Sequence, residues 1–148
     1  MATALLPAEG IRLGLTASDR FDAVRMSGEV LVEIGAVDPP YVEAMLERER
    51  GISTSLGEGF AIPHGTEDSR TYINETMLSF LQFPDGIAWD DDEVIVCVGI
   101  AAVGDEHVGV LANLARVLSV PEQAARLRTA GRIEDVLALL GADAEART

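Results

Sequence analysis

The sequence has one cysteine, few aromatic residues and no long apolar run. With Cys97 as its only cysteine, the chain forms no intrachain disulfide, and a reducing, cytoplasmic compartment is expected. Its longest apolar run, Val94–Val103, is about half of the ~20 residues that a transmembrane helix needs. The first residues lack the basic stretch followed by an apolar one that marks a signal peptide. We therefore expect no direct membrane insertion.

Basic residues are scarce. Eleven of them face 25 acidic residues, and the formal net charge is −14. Such a balance argues against nucleic-acid binding, which depends largely on cationic side chains, and against anionic lipid surfaces. The charge either maintains solubility alone or also attracts a basic partner protein.

The first half of the chain predicts a strand, two helices and a loop. Residues 11–15 alternate as a short strand does, and Ser18 or Asp19 is a suitable cap for a helix that stops at Gly35. Residues 38–40 (Asp-Pro-Pro) start a second helix that ends near Gly51, with Tyr41, Met45 and Leu46 facing inward. Residues 51–65, rich in glycine, predict a loop that the brief apolar stretch 60–62 interrupts.

In the second half, residues 75–83 read as a strand that residues 84–86 (Pro-Asp-Gly) close with a turn. The apolar, β-branched run 94–100 is typical of a strand covered on both faces. Asp105 is the expected cap of the next helix, Pro121 opens another, and residues 132–140 form the last.

These elements predict an α/β fold. Strands and helices do not alternate regularly, which favours a mixed β-sheet over a purely parallel one. Nothing divides the sequence internally, so we expect one domain over residues 1–148 with a core of about 11–140.

Two histidines are the candidates for chemistry. His64 lies between Pro63 and Gly65, an arrangement that presents an imidazole rigidly, since proline restricts the backbone and glycine permits a partner's close approach. Alone, such a residue is more often simply solvated. His107 falls in the first turn of the helix capped by Asp105, where free N–H groups favour an anion, or it is an ordinary surface residue.

Charged neighbours supply further candidates. Arg48 has the geometry to bind phosphoryl oxygens, although it also suits an exposed helix end, and Arg50 is nearly equivalent. Glu58 either orients an imidazole or faces water.

Other kinds of site are poorly supported. Two histidines and one cysteine far apart make a poor zinc site, and no nucleotide-binding glycine motif occurs. Residues 90–93, all acidic, are interpreted as a solvated turn because EF-hand spacing is missing. Cys97 lies in the most apolar strand and is expected to pack rather than react. We expect no metal and no cofactor.

Two segments resemble a known family. Residues 41–49 (YVEAMLERE) followed by residues 56–66 (LGEGFAIPHGT) are similar to the mannitol/fructose-type enzyme IIA domain of the bacterial sugar phosphotransferase system. Residues 98–102 with 106–107, and the ending 133–140, match as well. The likeness runs from about residue 11 to residue 140, and the mannitol subtype is favoured.

The resemblance implies a mixed sheet flanked by helices on both sides and a phosphocarrier function. His64 would match the phosphorylated histidine, which accepts a phosphoryl group from HPr and passes it to a cysteine of enzyme IIB. Arg48 would match the active-site arginine, His107 the second active-site histidine, and Glu58 an acidic neighbour. No metal is needed for such a transfer.

Two other functions are consistent with the same residues. A regulatory, nitrogen-type enzyme IIA would carry the same histidine chemistry but signal through protein binding. A pure anion-binding or interaction module would keep the fold without any phosphoryl transfer.

Overall fold

A computed structural model describes residues 6–104 and 106–141. They form five strands and five helices, with short 3₁₀ turns at Ala8–Gly10 and Glu67–Tyr72. The strands are β1 (Ile11–Arg12), β2 (Ser55–Gly57), β3 (Phe60–Ala61), β4 (Met77–Trp89) and β5 (Asp92–Ala101). The helices are α1 (Arg20–Glu33), α2 (Pro40–Gly51), α3 (Glu106–Leu118), α4 (Pro121–Arg128) and α5 (Ile133–Val136). None of the helices in this described part is both long and apolar enough to cross a membrane.

The five strands make one mixed sheet in the order β1-β4-β5-β3-β2. Strand β4 is antiparallel to β5 and parallel to β1, whereas β3 is parallel to β5 and antiparallel to β2. Strand β5, predicted from its apolar run, lies in the middle, and Val94, Val96 and Val98 are fully buried there. The predicted α/β class with a mixed sheet is confirmed.

Helices cover both faces of the sheet. Side chains alternate between the two faces along each strand, so the buried strands present apolar side chains on both sides. Leu81 and Cys97 point into a core shared with α1 and α2. Their neighbours Phe80 and Val96 belong to the opposite core, which α3, α4 and α5 complete. The expectation of helices on both sides is therefore met.

The first two helices begin where the sequence predicts. Asp19 caps α1, its carboxylate accepting from the Asp22 N–H at 2.8 Å, and such a cap stabilises a helix by about 1 kcal/mol. Gly35 follows α1 with φ +84°, a conformation that favours glycine. Helix α2 starts at Pro40 and includes Gly51 as its last residue.

The predicted loop over residues 51–65 is partly wrong. It contains the β2–β3 hairpin, and Phe60 and Ala61 pair with Val96 and Cys97 of β5. A two-residue strand has no periodicity to read, and it forms here because its neighbours bury it completely.

The predicted turn over residues 84–86 is wrong. Strand β4 runs through it to Trp89, and its pairing with β5 shifts register between Gln82 and Ile87. Pro84 lies exposed at this irregularity, a place where a strand tolerates a residue without an N–H. The chain turns at Asp90 (φ +56°) and Asp91, in the predicted acidic turn.

Helix α4 begins at Pro121 as predicted, but the last helix is shorter than expected. Residues Ile133–Val136 are α-helical, and a π-helical turn follows at Leu137–Gly141. The predicted cap of α3, Asp105, lies outside the described residues.

Candidate functional site

A cavity of about 280 Å³ opens beside the end of β3. Its apolar wall includes Ile73, Ile100 and Leu111. Its polar lining consists of Tyr41, Arg48, His64, Thr66, Glu67 and Arg70. Two of the four predicted site residues, His64 and Arg48, thus meet in one cavity although 16 positions separate them in the chain.

His64 extends β3 by one pairing with β5. It forms a parallel bridge with Ile100, whose N–H donates to the Pro63 carbonyl at 2.9 Å. The imidazole Nδ1 lies 2.9 Å from the Ile62 carbonyl. A carbonyl only accepts, so Nδ1 carries the hydrogen and the neutral ring has its lone pair on Nε2. Nε2 is therefore the ring nitrogen with a lone pair available to react.

Gly65 is required by a close approach within the protein itself. A Cβ atom at this position would lie 2.5 Å from both Ser69 Oγ and Tyr41 Cε1. The Gly65 N–H donates to the Tyr41 hydroxyl at 2.9 Å. The Pro-His-Gly sequence was interpreted as leaving room for a partner's backbone, whereas the structure shows that Tyr41 occupies that room.

Arg48 lies in the last turn of α2. Its Nη1 donates to the Ile52 carbonyl at 2.8 Å, which holds the guanidinium against the helix end while it lines the cavity. Arg50 is exposed and is not part of the lining. Of the two arginines that the sequence could not separate, the structure therefore places Arg48 with His64.

Arg70 is a second cavity arginine that sequence reasoning missed. It is carried by the 3₁₀ turn Glu67–Tyr72, and its Nη2 lies 3.8 Å from Glu67 Oε1, a long and exposed ion pair worth little. All 11 basic residues of this acidic chain are arginines, and two of them line this cavity. A single arginine in a polar loop carries no sequence signal.

Glu49, next to Arg48, is a buried carboxylate that accepts hydrogen bonds from three donors. It is 1% exposed and accepts from the Thr54 N–H at 3.2 Å, the Thr54 hydroxyl at 2.5 Å and Trp89 Nε1 at 2.9 Å. These bonds tie the end of α2 to β4 and to the segment that leads into β2. Its spacing of four from Met45 and eight from Tyr41 places it on the inward face of α2, a signal that the sequence analysis did not use.

The structure does not bring Glu58 to the imidazole. Glu58 lies in the β2–β3 turn with φ +57°, its side chain is exposed, and its carbonyl accepts from Arg128 Nη1 at 2.8 Å. In the part of the chain that the structure describes, the Glu58 side chain makes no hydrogen bond to His64, and the structure favours the alternative that it faces water.

His107 lies in the first turn of α3, as predicted, but its side chain lies outside the described part of the structure. Leu111, one turn further along the same helix, lines the cavity. The role of His107 stays a prediction.

Among the described side chains, the site offers one imidazole nitrogen with an available lone pair and two guanidinium groups. Guanidinium groups bind phosphate and carboxylate oxygens through charge-assisted hydrogen bonds. The arrangement is suited to holding an anionic group against an imidazole.

A family model described as "Phosphoenolpyruvate-dependent sugar phosphotransferase system, EIIA 2" matches residues 4–142. The mannitol-specific phosphotransferase enzyme IIA component of Halalkalibacterium halodurans is 40% identical over 95% of this chain and 97% of its own length. The mannitol-specific EIICBA component of Vibrio cholerae is 41% identical over 91% of this chain. This chain spans only about a fifth of that larger protein, the match covering 21% of it.

Solved structures show the same fold. A chain from the complex of enzyme IIAMtl with phosphorylated enzyme IIBMtl from Escherichia coli superimposes with a TM-score of 0.87 at 37% identity, over 93% of this chain and 99% of its own. The crystal structure of IIA mannitol from Escherichia coli gives 0.84 at 39% identity, over 90% and 97%. The nitrogen regulatory protein IIA-Ntr from Neisseria meningitidis gives 0.79 at 25% identity, over 92% and 96%.

Proposed function

This chain belongs to the EIIA 2 family of the phosphoenolpyruvate-dependent sugar phosphotransferase system, and we propose that it carries phosphoryl groups on Nε2 of His64. The donor is phospho-HPr, and the acceptor is a cysteine of an enzyme IIB. The observation that carries the proposal is the hydrogen bond from Nδ1 to the Ile62 carbonyl, which leaves Nε2 with its lone pair in the same cavity as Arg48.

In the first transfer, the Nε2 lone pair of His64 attacks phosphorus. The bond between phosphorus and the donor imidazole breaks, and its electron pair returns to the donor nitrogen. His64 keeps its Nδ1 hydrogen, so the phosphorylated ring gains positive charge, which the Ile62 carbonyl stabilises. In the second transfer, the IIB thiolate attacks phosphorus and forms a cysteinyl phosphate, while the bond to Nε2 breaks and its electron pair returns to Nε2, which restores the neutral imidazole.

Charge stabilisation comes from the arginines. Phosphoryl transfer passes through a loose transition state with negative charge on the equatorial oxygens, so positioning and electrostatics provide most of the catalysis. Arg48 is held at the cavity by the Ile52 carbonyl. We assign Arg70 as a second cation, and we retain the prediction that His107 contributes from α3.

The surface around the cavity suits two successive protein partners. Two exposed apolar side chains adjoin the site. Ile52, whose carbonyl accepts from Arg48, is 69% exposed, and Val103, which follows Ala102 of the lining, is 46% exposed. The net charge of −14 favours a basic donor protein.

We further propose mannitol as the transported sugar, because the matched proteins from Halalkalibacterium halodurans and Vibrio cholerae are named as mannitol-specific. The cytoplasm is proposed as the location on a separate ground, the single cysteine, which suits a reducing compartment.

The test is incubation with enzyme I, HPr and phosphoenolpyruvate, followed by mapping of the acid-labile phosphate and addition of a mannitol-type IIB. We expect phosphate on His64 and its passage to IIB. Phosphate elsewhere, or none, contradicts the proposal. Phosphate accepted on His64 but passed to no sugar IIB supports the nitrogen-type regulatory function instead.

A further inference from the structure

We infer that Tyr41 is a positioning residue that sets His64 in register with Arg48. The inference rests on the proposed function and adds a residue that the sequence analysis assigned only to packing. Tyr41 is 3% exposed and lines the cavity, and its hydroxyl bonds two backbone groups.

The hydroxyl both donates and accepts. It donates to the Ile100 carbonyl at 3.0 Å and accepts from the Gly65 N–H at 2.9 Å. Ile100 is the residue of β5 that pairs with His64, and Gly65 follows His64 directly in the chain. One oxygen atom therefore joins the backbone of the residue that follows His64 to the backbone of the residue that pairs with it. A group that only donates or only accepts could not do so.

Helix α2 links this contact to Arg48. Tyr41 and Arg48 are seven residues apart, almost two full turns, so they lie on one side of the helix with a rise of about 10 Å between them. Both line the cavity. The far end of α2 is held by the buried Glu49 carboxylate. Through Tyr41, the same helix that carries the phosphate-binding arginine also fixes the backbone of the nucleophile.

The electrostatics of Tyr41 agree with this role. Burial raises the pKa of the Tyr41 hydroxyl, and the Gly65 N–H and the Arg70 charge oppose that shift without reversing it. The group therefore keeps its hydrogen at neutral pH and remains able to donate to Ile100.

Tyr41→Phe removes the oxygen and keeps the ring that packs against Gly65. The chain offers a matched control in Tyr72→Phe, since Tyr72 is 37% exposed and is the only other tyrosine. We expect Tyr41→Phe to lower the single-turnover rate of phosphate uptake from phospho-HPr by about 10- to 100-fold at saturating donor, since small misplacement of reacting groups is costly. The donor concentration for half-saturation and the Tyr72→Phe rate should stay near wild type.

A double-mutant cycle separates positioning from a general structural effect. If Tyr41 acts by aligning His64 with Arg48, Arg48→Ala costs less in the Tyr41→Phe background than in wild type. Penalties that add, or a wild-type rate in Tyr41→Phe, contradict the inference.

Amide hydrogen exchange tests the contact independently of phosphate transfer. In wild type the Gly65 amide should be protected, and Tyr41→Phe, but not Tyr72→Phe, should abolish that protection. A Gly65 amide that exchanges rapidly in wild type overturns the inference without any substitution. If wild type accepts no phosphate while Gly65 is protected as expected, the proposed function fails and the Tyr41 contact stands.

Discussion

Cys97, expected from the sequence only to pack, and His64, the candidate nucleophile, lie along the same parallel pairing of β5 with β3 and its extension. Cys97 of β5 pairs with Ala61 of β3, and three residues further along, Ile100 pairs with His64. Three residues of a strand span about 10 Å. Over that distance the surroundings change from a closed core to an open cavity, and with them the chemistry.

Burial keeps the Cys97 thiol protonated and therefore unreactive. Cys97 is fully buried in the core that α1 and α2 cover, and burial raises the pKa of its thiol far above the ordinary value, with the Glu49 carboxylate adding to the shift. His64 instead lies just past the end of β3, at the edge where two parallel strands finish. Such edges are where sheets of this kind bind ligands. Position along the strand pair, more than residue type, decides which side chain can react.

If this comparison is right, phosphate uptake depends on the His64 side chain and not on the Cys97 side chain. His64→Ala should abolish phosphate uptake from phospho-HPr, whereas Cys97→Ala should retain it. His64→Ala removes one half-buried hydrogen bond, so we expect the free energy of unfolding to change by about 1 kcal/mol or less. Radiolabelled phosphate uptake and urea denaturation measure the two quantities. Acid-labile phosphate on the His64→Ala variant would refute the assignment.

The cavity side of the comparison depends next on Arg48. Arg48→Ala should slow transfer by about 10²–10³-fold, the usual cost of one lost transition-state donor. Arg50→Ala is the matched control, because Arg50 lies in the same helical turn but outside the cavity. Rapid-quench experiments measure the transfer rate of both variants. Equal rates would show that Arg48 does not contribute to the transfer.

Arg70 should contribute less, because its side chain is 47% exposed. We expect Arg70→Gln to slow transfer by about 10-fold, corresponding to one charge-assisted hydrogen bond. Arg132→Gln serves as control, since Arg132 forms a similar exposed pair with Glu134 away from the cavity. If both variants transfer at the wild-type rate in the same assay, Arg70 is only a surface residue.

The smallest effect is expected at the buried thiol. In the unfolded chain Cys97 loses its proton near the ordinary pKa of 9.0, while the folded protein keeps it. The unfolded state then binds fewer protons, so rising pH favours unfolding. Above pH 9, wild type should lose up to about 1.4 kcal/mol of stability per pH unit relative to Cys97→Ala, and below pH 8 the difference should be constant. Urea denaturation at pH 7, 8, 9 and 10 measures it, and parallel curves would contradict a protonated buried thiol.

Several elements could be predicted because their signal is local. Asp19 caps α1 with its own side chain, Pro40 starts α2, and the β-branched run of β5 needs no partner to be recognised. His64 and Arg48 were found through a motif. Their meeting in one cavity was not predictable, because nothing in the spacing fixes where α2 ends relative to β3.

Other features depend on partners distant in sequence. Strand β3 exists because β5 pairs with it, and β4 continues through Pro84 because an exposed irregularity accommodates the proline. Glu58 is the converse case, since it is near His64 in sequence but the β2–β3 turn directs it to solvent.

The sequence by itself determined the candidate nucleophile, the composition of the central strand and the family, because each of these is encoded in contiguous residues. Only the tertiary structure decided which of Arg48 and Arg50 shares a cavity with His64, that Arg70 joins them, and that Tyr41 ties Gly65 to Ile100. The physical reason is that hydrogen bonds and ion pairs act over about 3–4 Å in space. Only the folded sheet brings residues 41, 48, 64, 70 and 100 to one cavity.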